Sequence, residues 1–486
     1  MAAWSAATSG ERGERRIEEP LTRFAAQTSL SLGALVYPQV SELGIQGNGY
    51  LFDNLDMRHQ GRFRSLVSEH LHSVNRAVNG LSALSGTAQP MAATKAMYRF
   101  LANEATILPA LIEPAQEAVR DALARSATPI ALAVHDWCMF SFRTHTAKKD
   151  LFQRTHAQDL GYDLGSCLIV DANSGRPLGP MELRLRTADG VLTTRPGEVL
   201  EPVAHIDELL GTMNDSRRWN LGKPLVHIVD READSVGHYR AWDRAGHQFL
   251  VRAKDDRVVR WKGEAISLKA LQKRLEPEFA DPPDGPASVT KTKFGPAKVQ
   301  VLEVEIVLDR PAKTRTAEGR VETPGTPLTL RLILTQVVTS DGEVRARWLL
   351  LTNVGAEYKA AEVARWYAWR WRIESYHKLL KTAGMNAEEW QQECGEAFAK
   401  RLVIASMACL LIWHLQEDGS EEAERLKKIL QRLSGRQKKH KGPATAPALL
   451  AGLERLLAVL NLLETEKMED IVDLVRKVLP RLVNSS

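Results

Sequence analysis

Pro224-Leu-Val-His-Ile-Val-Asp-Arg-Glu-Ala-Asp234 opens with an apolar run, Pro224 to Val229, that ends on an acid. The run predicts a buried strand, and Asp230 follows it directly. A second run, Thr128-Pro-Ile-Ala-Leu-Ala-Val134, is long enough for one strand and delivers Asp136 just past its end. Aspartates near strand ends are common turn residues, so neither acid says much alone. A third stretch, Tyr367-Ala-Trp-Arg-Trp-Arg-Ile-Glu-Ser-Tyr-His-Lys378 with Lys381 beyond it, predicts a helix. At about 100° per residue, Tyr367, Arg370, Glu374 and Lys381 lie at roughly 0°, 300°, 340° and 320°. An acid, two cations and a phenol therefore share one stripe.

A solvated helix face has no use for Trp366, Tyr367, Trp369 and Trp371 beside such a stripe. One reading is an amphipathic core helix laced with salt bridges. The other is a metal-binding carboxylate ringed by phosphate-binding cations, because Mg²⁺ takes oxygen ligands while Arg and Lys clamp a polyanion. Asp136, Asp230 and Glu374, brought together by folding, would make an open two-metal site. The ordered set of three weighs more than any one of them.

These residues resemble the DDE transposases of the insertion sequence four family. Asp230-Arg-Glu-Ala-Asp234 matches the surroundings of that family's second acid, and Tyr367, Arg370, Glu374 and Lys381 fit its Y-(2)-R-(3)-E-(6)-K signature position by position. Phe249-Leu-Val-Arg-Ala-Lys254, Arg347-Trp-Leu-Leu-Leu-Thr352, Asp56-Met-Arg-His-Gln-Gly-Arg-Phe-Arg64 and Ala96-Met-Tyr-Arg-Phe-Leu101 are similar to further family segments, so the likeness spans roughly residues 50 to 415. Two features depart from the pattern. Trp137-Cys138 follows the first acid where the family has two threonines, and the tail after Leu450 lacks a Gly- and Trp-rich ending.

The resemblance implies a mixed α/β fold: an RNase H-like catalytic core with an inserted β subdomain, flanked by helical N- and C-terminal domains. The expected boundaries are 1–120 for a DNA-end-binding domain, 121–415 for the core with its insertion at about 245–352, and 416–486 for an interaction domain. It further implies that Asp136, Asp230 and Glu374 are catalytic and hold two Mg²⁺ ions, with Mn²⁺ able to substitute. Tyr367, Arg370, Lys378 and Lys381 would contact DNA beside them. Arg252, Lys254 and Trp348 would line the DNA path in the insertion, Trp348 as a stacking platform for a flipped base. Arg58, Arg62 and Arg64 would serve end binding. The implied partners are double-stranded DNA, both transposon ends and target, and a second copy of the chain in the synaptic complex. A nuclease of the same fold, or a DNA-binding protein descended from a transposase, are the alternatives. If Asp136 lies apart from the other acids, Asp150 or Asp163 takes its place.

Composition sets the limits. At 486 residues the chain suggests about two to four domains. Its 44% apolar and 26% charged content is ordinary for a soluble globular protein. A net charge of +5 is modest, so nucleic acid would be met by local basic patches. Arg432, Arg436, Lys438, Lys439 and Lys441 form one, and Arg58, Arg62 and Arg64 another. Cys138, Cys167, Cys394 and Cys409 show no zinc spacing and are expected as reduced packing residues. Leu402 to Leu415 is too short for a membrane span and the Ala446 to Leu463 run is interrupted by Glu454 and Arg455, so both are expected as core or interface helices with no membrane partner. The amino terminus lacks a signal pattern, which predicts a cytosolic protein, and the resemblance implies a bacterial, nucleoid-associated one.

Along the chain, residues 1 to about 45 show little periodicity, and Arg62 to Ala124 is helical with an interruption at Ser85 to Pro90. Strands are expected at Ile130–Val134, Ser166–Val170 and Met181–Leu185, a helix around His205–Met213, and further strands at Gln248–Val251, Lys298–Leu308, Leu328–Gln336 and Trp348–Thr352. Past Trp390 the pattern is helical, with an apolar stripe at Leu449, Leu453, Leu456, Leu457 and Leu460.

Overall fold

Ala131 to Val134 is buried on both faces, and this run seeds the central strand of the fold. The computed structural model describes residues 56–72, 90–197, 200, 203–279, 297–316, 319–339, 342–382, 384–436, 444–463 and 466–478. The expected lead up to residue 45, the interruption at 85–89 and the basic residues Lys438, Lys439 and Lys441 lie outside them. In chain order the first half comprises α1 (Met57–His72), α2 (Pro90–Leu101), α3 (Leu108–Arg125), β1 (Ala131–Ser141), β2 (Phe152–Gln153), β3 (Leu160–Asp171), β4 (Pro177–Thr187), β5 (Gly190–Thr193), α4 (Leu209–Asp215), β6 (Leu225–Val229), α5 (Val236–Arg244) and β7 (Gln248–Arg252). There follow β8 (Val258–Trp261), β9 (Glu264–Ser267), α6 (Leu268–Leu275), β10 (Ala297–Leu308), β11 (Ala312–Thr316), β12 (Gly319–Thr323), β13 (Leu328–Thr339) and β14 (Val344–Thr352). The helices α7 (Ala360–Ala368), α8 (Trp371–Lys381), α9 (Gly395–Glu417), α10 (Glu421–Leu433), α11 (Ala446–Leu463) and α12 (Met468–Val478) complete the described chain.

The architecture is mixed α/β, built on a large mixed sheet. Among the described residues that sheet has 12 strands, in the order β5-β4-β3-β1-β6-β7-β14-β13-β10-β8-β9, with β2 beside β3. β1, β3 and β4 are antiparallel to one another in turn, whereas β6 runs parallel to β1 and β7 parallel to β6. From β7 outward the pairing is antiparallel again through β14, β13 and β10. The strands expected as an inserted subdomain thus continue the central sheet, joined to it by the β7–β14 ladder. Only the β11–β12 ribbon stands off as its own two-stranded sheet.

Side chains of β1 alternate between the two faces. Ala131 and Ala133 join Val119, Ala122 and Leu123 of α3 in one apolar cluster, and Trp137 packs against a larger one containing Tyr239, Trp242, Phe249 and Leu271. Asp136 has the opposite parity and meets α8. Below α8 lies α9, which is long and apolar enough to cross a membrane, yet 94% of its most apolar window is buried inside the protein. This agrees with its expected place as a core helix. α1 packs against α9 and α11.

Several boundaries differ from expectation. β1 extends to Ser141, so Asp136 stands inside the strand and not beyond its end. The expected continuous helix across Tyr367 to Lys381 is two helices, α7 and α8, joined through Trp369 and Arg370. The N–H groups of Arg370, Arg372 and Ile373 each bond the carbonyl three residues back, a tightened turn between the two helices. β8, β9, β11, β12 and α6 were not anticipated.

Phe398 of α9 is fully buried, its ring edge-on to Phe140, Phe142 and Trp390 and tilted on Tyr162. It fastens the far end of β1 to the helical layer. Phe398→Ala should cost about 3–5 kcal/mol, because four aromatic neighbours cannot collapse into the space. The loss is to be read as a lowered denaturation midpoint in urea.

Candidate active site

The parallel ladder of β1 and β6 keeps one offset from Ala131↔Leu225 to Val134↔Ile228. Carried two residues further, it sets Asp136 level with Asp230. Asp230 ends β6 in extended backbone, and its carboxylate accepts the Arg231 N–H at 2.7 Å, capping a 3-10 turn over Arg231–Ala233. Asp136 accepts the N–H of Trp137 at 2.9 Å. The third acid, Glu374, lies in the first turn of α8.

One side chain touches all three. Arg370 is only 4% exposed, with Nη1 3.5 Å from Asp136 Oδ2 and Nη2 3.5 Å from Asp230 Oδ2, while Nη2 also donates to Glu374 Oε1. Tyr367, buried one turn earlier, donates its hydroxyl to Asp230 Oδ1 at 2.8 Å. The three acids expected from separate segments are therefore brought together, and neither Asp150 nor Asp163 takes their place. Asp150 is occupied by the Tyr162 hydroxyl and the Gly395 N–H at 2.7 Å, and Asp163 lies 3.7 Å from Arg154.

The environments of the two aspartates differ. Burial pushes the Asp136 carboxyl up to about 6, against the pull of the Trp137 N–H and Arg370, and with Glu374 and Glu232 adding to the rise. Burial acts the same way on Asp230, but there Arg370, the Arg231 N–H and the Tyr367 hydroxyl together outweigh it and bring the group below its ordinary value. For Arg370, burial disfavours the charge, yet Tyr367, Asp230, Glu374 and Asp136 more than offset it and its pKa is raised.

The remaining expected residues fall in three places. Arg252, at the end of β7, is half-buried and close enough for its charge to lower Asp230. Trp348, on β14, is half-buried with its ring 5.8 Å from that of Tyr367. Both therefore gather at the carboxylates. Lys381 lies further along α8, paired with Glu388 Oε1 at 3.1 Å, and the same oxygen accepts the N–H of Ser141 at the end of β1 at 2.8 Å. Lys378 and Lys254 are exposed. Arg58, Arg62 and Arg64 lie on α1, Arg58 exposed and the other two half-buried.

Sequence reading missed two supports. Asp234 is buried and accepts from the Tyr239 hydroxyl at 2.9 Å, Arg257 Nε at 3.0 Å and the Lys254 N–H at 2.8 Å. It ties the turn after Asp230 to the loop that follows Arg252. Its place in Asp230-Arg-Glu-Ala-Asp234 was the available signal. Glu388, the partner of Lys381, had no such mark, since it sits in a short 3-10 turn beyond the helix.

The donor set suits a hard cation, because three carboxylates converge and a guanidinium already stands among them as a monovalent stand-in. Among the described residues, no three acidic, His or Cys groups are arranged to hold an ion as they stand, since all three acids face Arg370.

Residues 196–411 match the transposase DDE domain family. The match takes in Asp230 and Glu374 and starts after β5, so Asp136 is joined to it by the β1–β6 pairing. It supports a DDE transposase, with DNA transposition and recombination as its activity. Among solved structures, a cryo-EM structure of a piggyBac transposase synaptic complex with hairpin DNA is similar over 94% of this chain and 84% of that chain, at 8% identity and a TM-score of 0.34.

Asp136 is protonated more readily in the fold than in the unfolded chain. Its contribution to stability is thus greatest below the ordinary carboxylate range near 4 and is lost as pH rises through about 6. In metal-free buffer, Asp136→Asn should therefore raise the thermal midpoint at pH 8, by the equivalent of roughly 2–3 kcal/mol, and bring little gain at pH 4. An equal gain at both values would assign the effect to something other than the buried charge.

Proposed function

We propose that the chain is a cut-and-paste DNA transposase of the insertion sequence four type, which cleaves at the terminal repeats of a mobile element and joins the 3′ ends to target DNA. The observation that carries this reading is the convergence of Asp136, Asp230 and Glu374 on one guanidinium, within a helix pair bearing the full Tyr367, Arg370, Glu374 and Lys381 spacing. The strand order supports it as well. Three antiparallel strands, then a parallel fourth, with acids on the first and at the tip of the fourth, are what an RNase H-like core would have. Fold alone would not give the activity.

Phosphoryl transfer needs alignment and charge neutralisation more than covalent help from the protein. Asp136, Asp230 and Glu374 would hold two Mg²⁺ ions, or Mn²⁺ in their place, whose chemistry is to activate water or a 3′-hydroxyl and to stabilise the leaving 3′ oxygen. Tyr367 fixes the orientation of Asp230 through its hydroxyl. Asp234 holds the Asp230 turn against the segment bearing Arg252 and Lys254, where cations would meet the DNA backbone. Trp348, edge-on to the Tyr367 ring, would stack on a base drawn out of the duplex, as release of flanking DNA through a hairpin would require. Arg58, Arg62 and Arg64 would serve recognition of the ends. Two copies would pair those ends in synapsis.

The test is cleavage of a DNA fragment carrying the element's own ends, with Mg²⁺ or with EDTA. Glu374→Gln should bind the fragment within about twofold of the wild type and cut at least a hundredfold more slowly, since one ligand of a two-ion site is lost while the DNA contacts remain. Wild-type rates of cutting in that variant, or in EDTA, would overturn the reading.

A further inference from the structure

Arg370 stands where the proposed function needs a different cation. Its guanidinium is buried among the three carboxylates and cannot reach a phosphate from there. Its contacts with the two aspartates are long for a buried ion pair. Only the contact with Glu374 is a hydrogen bond, the two aspartate oxygens lie at 3.5 Å, and Nε is buried without a hydrogen-bond partner. Charge-assisted hydrogen bonds of a built ion pair run at about 2.7–2.9 Å and are often bidentate. The geometry is that of charge compensation.

The reason lies in electrostatics. Like charges brought into a partly desolvated site disfavour one another, and some cation must offset them. Removing one partner of a buried ionic cluster leaves the rest uncompensated, so the site cannot stand empty at no cost. The side chain enters from the tightened turn between α7 and α8, on an arm of rotatable side-chain bonds.

We propose that Arg370 is an exchangeable counter-cation: it occupies the carboxylate triad in the metal-free protein, competes with divalent ions for it, and turns to a DNA phosphate when they displace it. This rests on the reading of Asp136, Asp230 and Glu374 as the ion-holding set. It goes further by linking the two loading events. A phosphate offers the freed guanidinium a new partner, so bound DNA strengthens ion binding, and by thermodynamic reciprocity bound ion strengthens DNA binding by the same factor. In the DNA-free protein Arg370 holds ion affinity down, which keeps the site from being armed before its substrate arrives.

The experiment is calorimetric titration of the full chain with Mn²⁺, with and without a duplex of the already cleaved transposon end, comparing wild type, Arg370→Gln and Arg370→Lys. Without DNA, Arg370→Gln should bind Mn²⁺ about tenfold or more tightly than wild type, because its competitor is gone, with Arg370→Lys between them since a single ammonium cannot span two aspartates. DNA should tighten Mn²⁺ binding several-fold in wild type and have little effect in Arg370→Gln. Adding Asp230→Asn to Arg370→Gln should abolish the tight site. If both Arg370 variants bind Mn²⁺ no more tightly than wild type, the counter-cation role is wrong while the proposed function stands; if the tight site survives Asp230→Asn, the triad is not what holds the ion and the counter-cation role falls with that reading. If no form binds Mn²⁺ with or without DNA, the triad holds no ion and both readings fall together.

Discussion

The parallel ladder between β1 and β6 is the constraint on which the site depends. It spans Ala131 to Val134 against Leu225 to Ile228, and its offset puts Asp136 beside Asp230 on neighbouring strands, which lie about 4.8 Å apart. A slip of one residue would send Asp136 to the opposite face, since side chains alternate along a strand. The apolar residues fix the register. Ala131, Leu132, Ala133 and Val134 are all fully buried, as are Val226 and Ile228 across from them, so a shifted pairing would leave the core mismatched on both faces. Packing thus sets a geometry whose functional consequence appears two residues later.

The same ladder separates charge from neutrality. On the face opposite Asp136, His135 and His227 share a hydrogen bond of 2.9 Å and are fully buried. Burial drives both pKa values down, His227 to about 3, so the pair is uncharged at neutral pH. The ladder therefore sets Asp136 and Asp230 toward the helix pair and backs them with a neutral imidazole pair.

Much of this was legible in sequence because the key residues sit in runs whose burial is decided locally. The runs before Asp136 and Asp230 gave both strands, and the four spaced residues of the helix pair gave the rest of the site. The misplaced end of β1 has a physical reason. Up to Val134 the strand is paired on both sides, by β3 and β6, and reads as continuous apolar sequence. Beyond that it pairs with β3 alone, and His135-Asp136-Trp137-Cys138 mixes polar and aromatic residues that no longer look like a strand. The β8–β9 hairpin was detectable. Val258 to Trp261 and Glu264 to Ser267 flank two residues, Lys262 at φ 48° and Gly263 at φ 84°, the left-handed pair of a tight hairpin turn. Continuity of the outer strands with the central sheet was not detectable, because it depends on which of two remote edges β14 pairs with.

The helical stripe itself needs a finer reading than shared direction. Tyr367 to Lys381 spans about 21 Å at 1.5 Å per residue, too far for all four signature residues to serve one point. Tyr367, Arg370 and Glu374 do converge, across the tightened turn at Arg370. Lys381 instead reaches the end of β1, where Glu388 joins its ammonium to the Ser141 N–H. The signature therefore marks two stations, an acidic one at the start of α8 and a cationic one at its end, beside exposed Lys378. A polyanion laid along the helix would meet its repulsion and its attraction in fixed order. Anchoring Lys381 to β1, the strand that also carries Asp136, holds the spacing between the two stations to that of one rigid element.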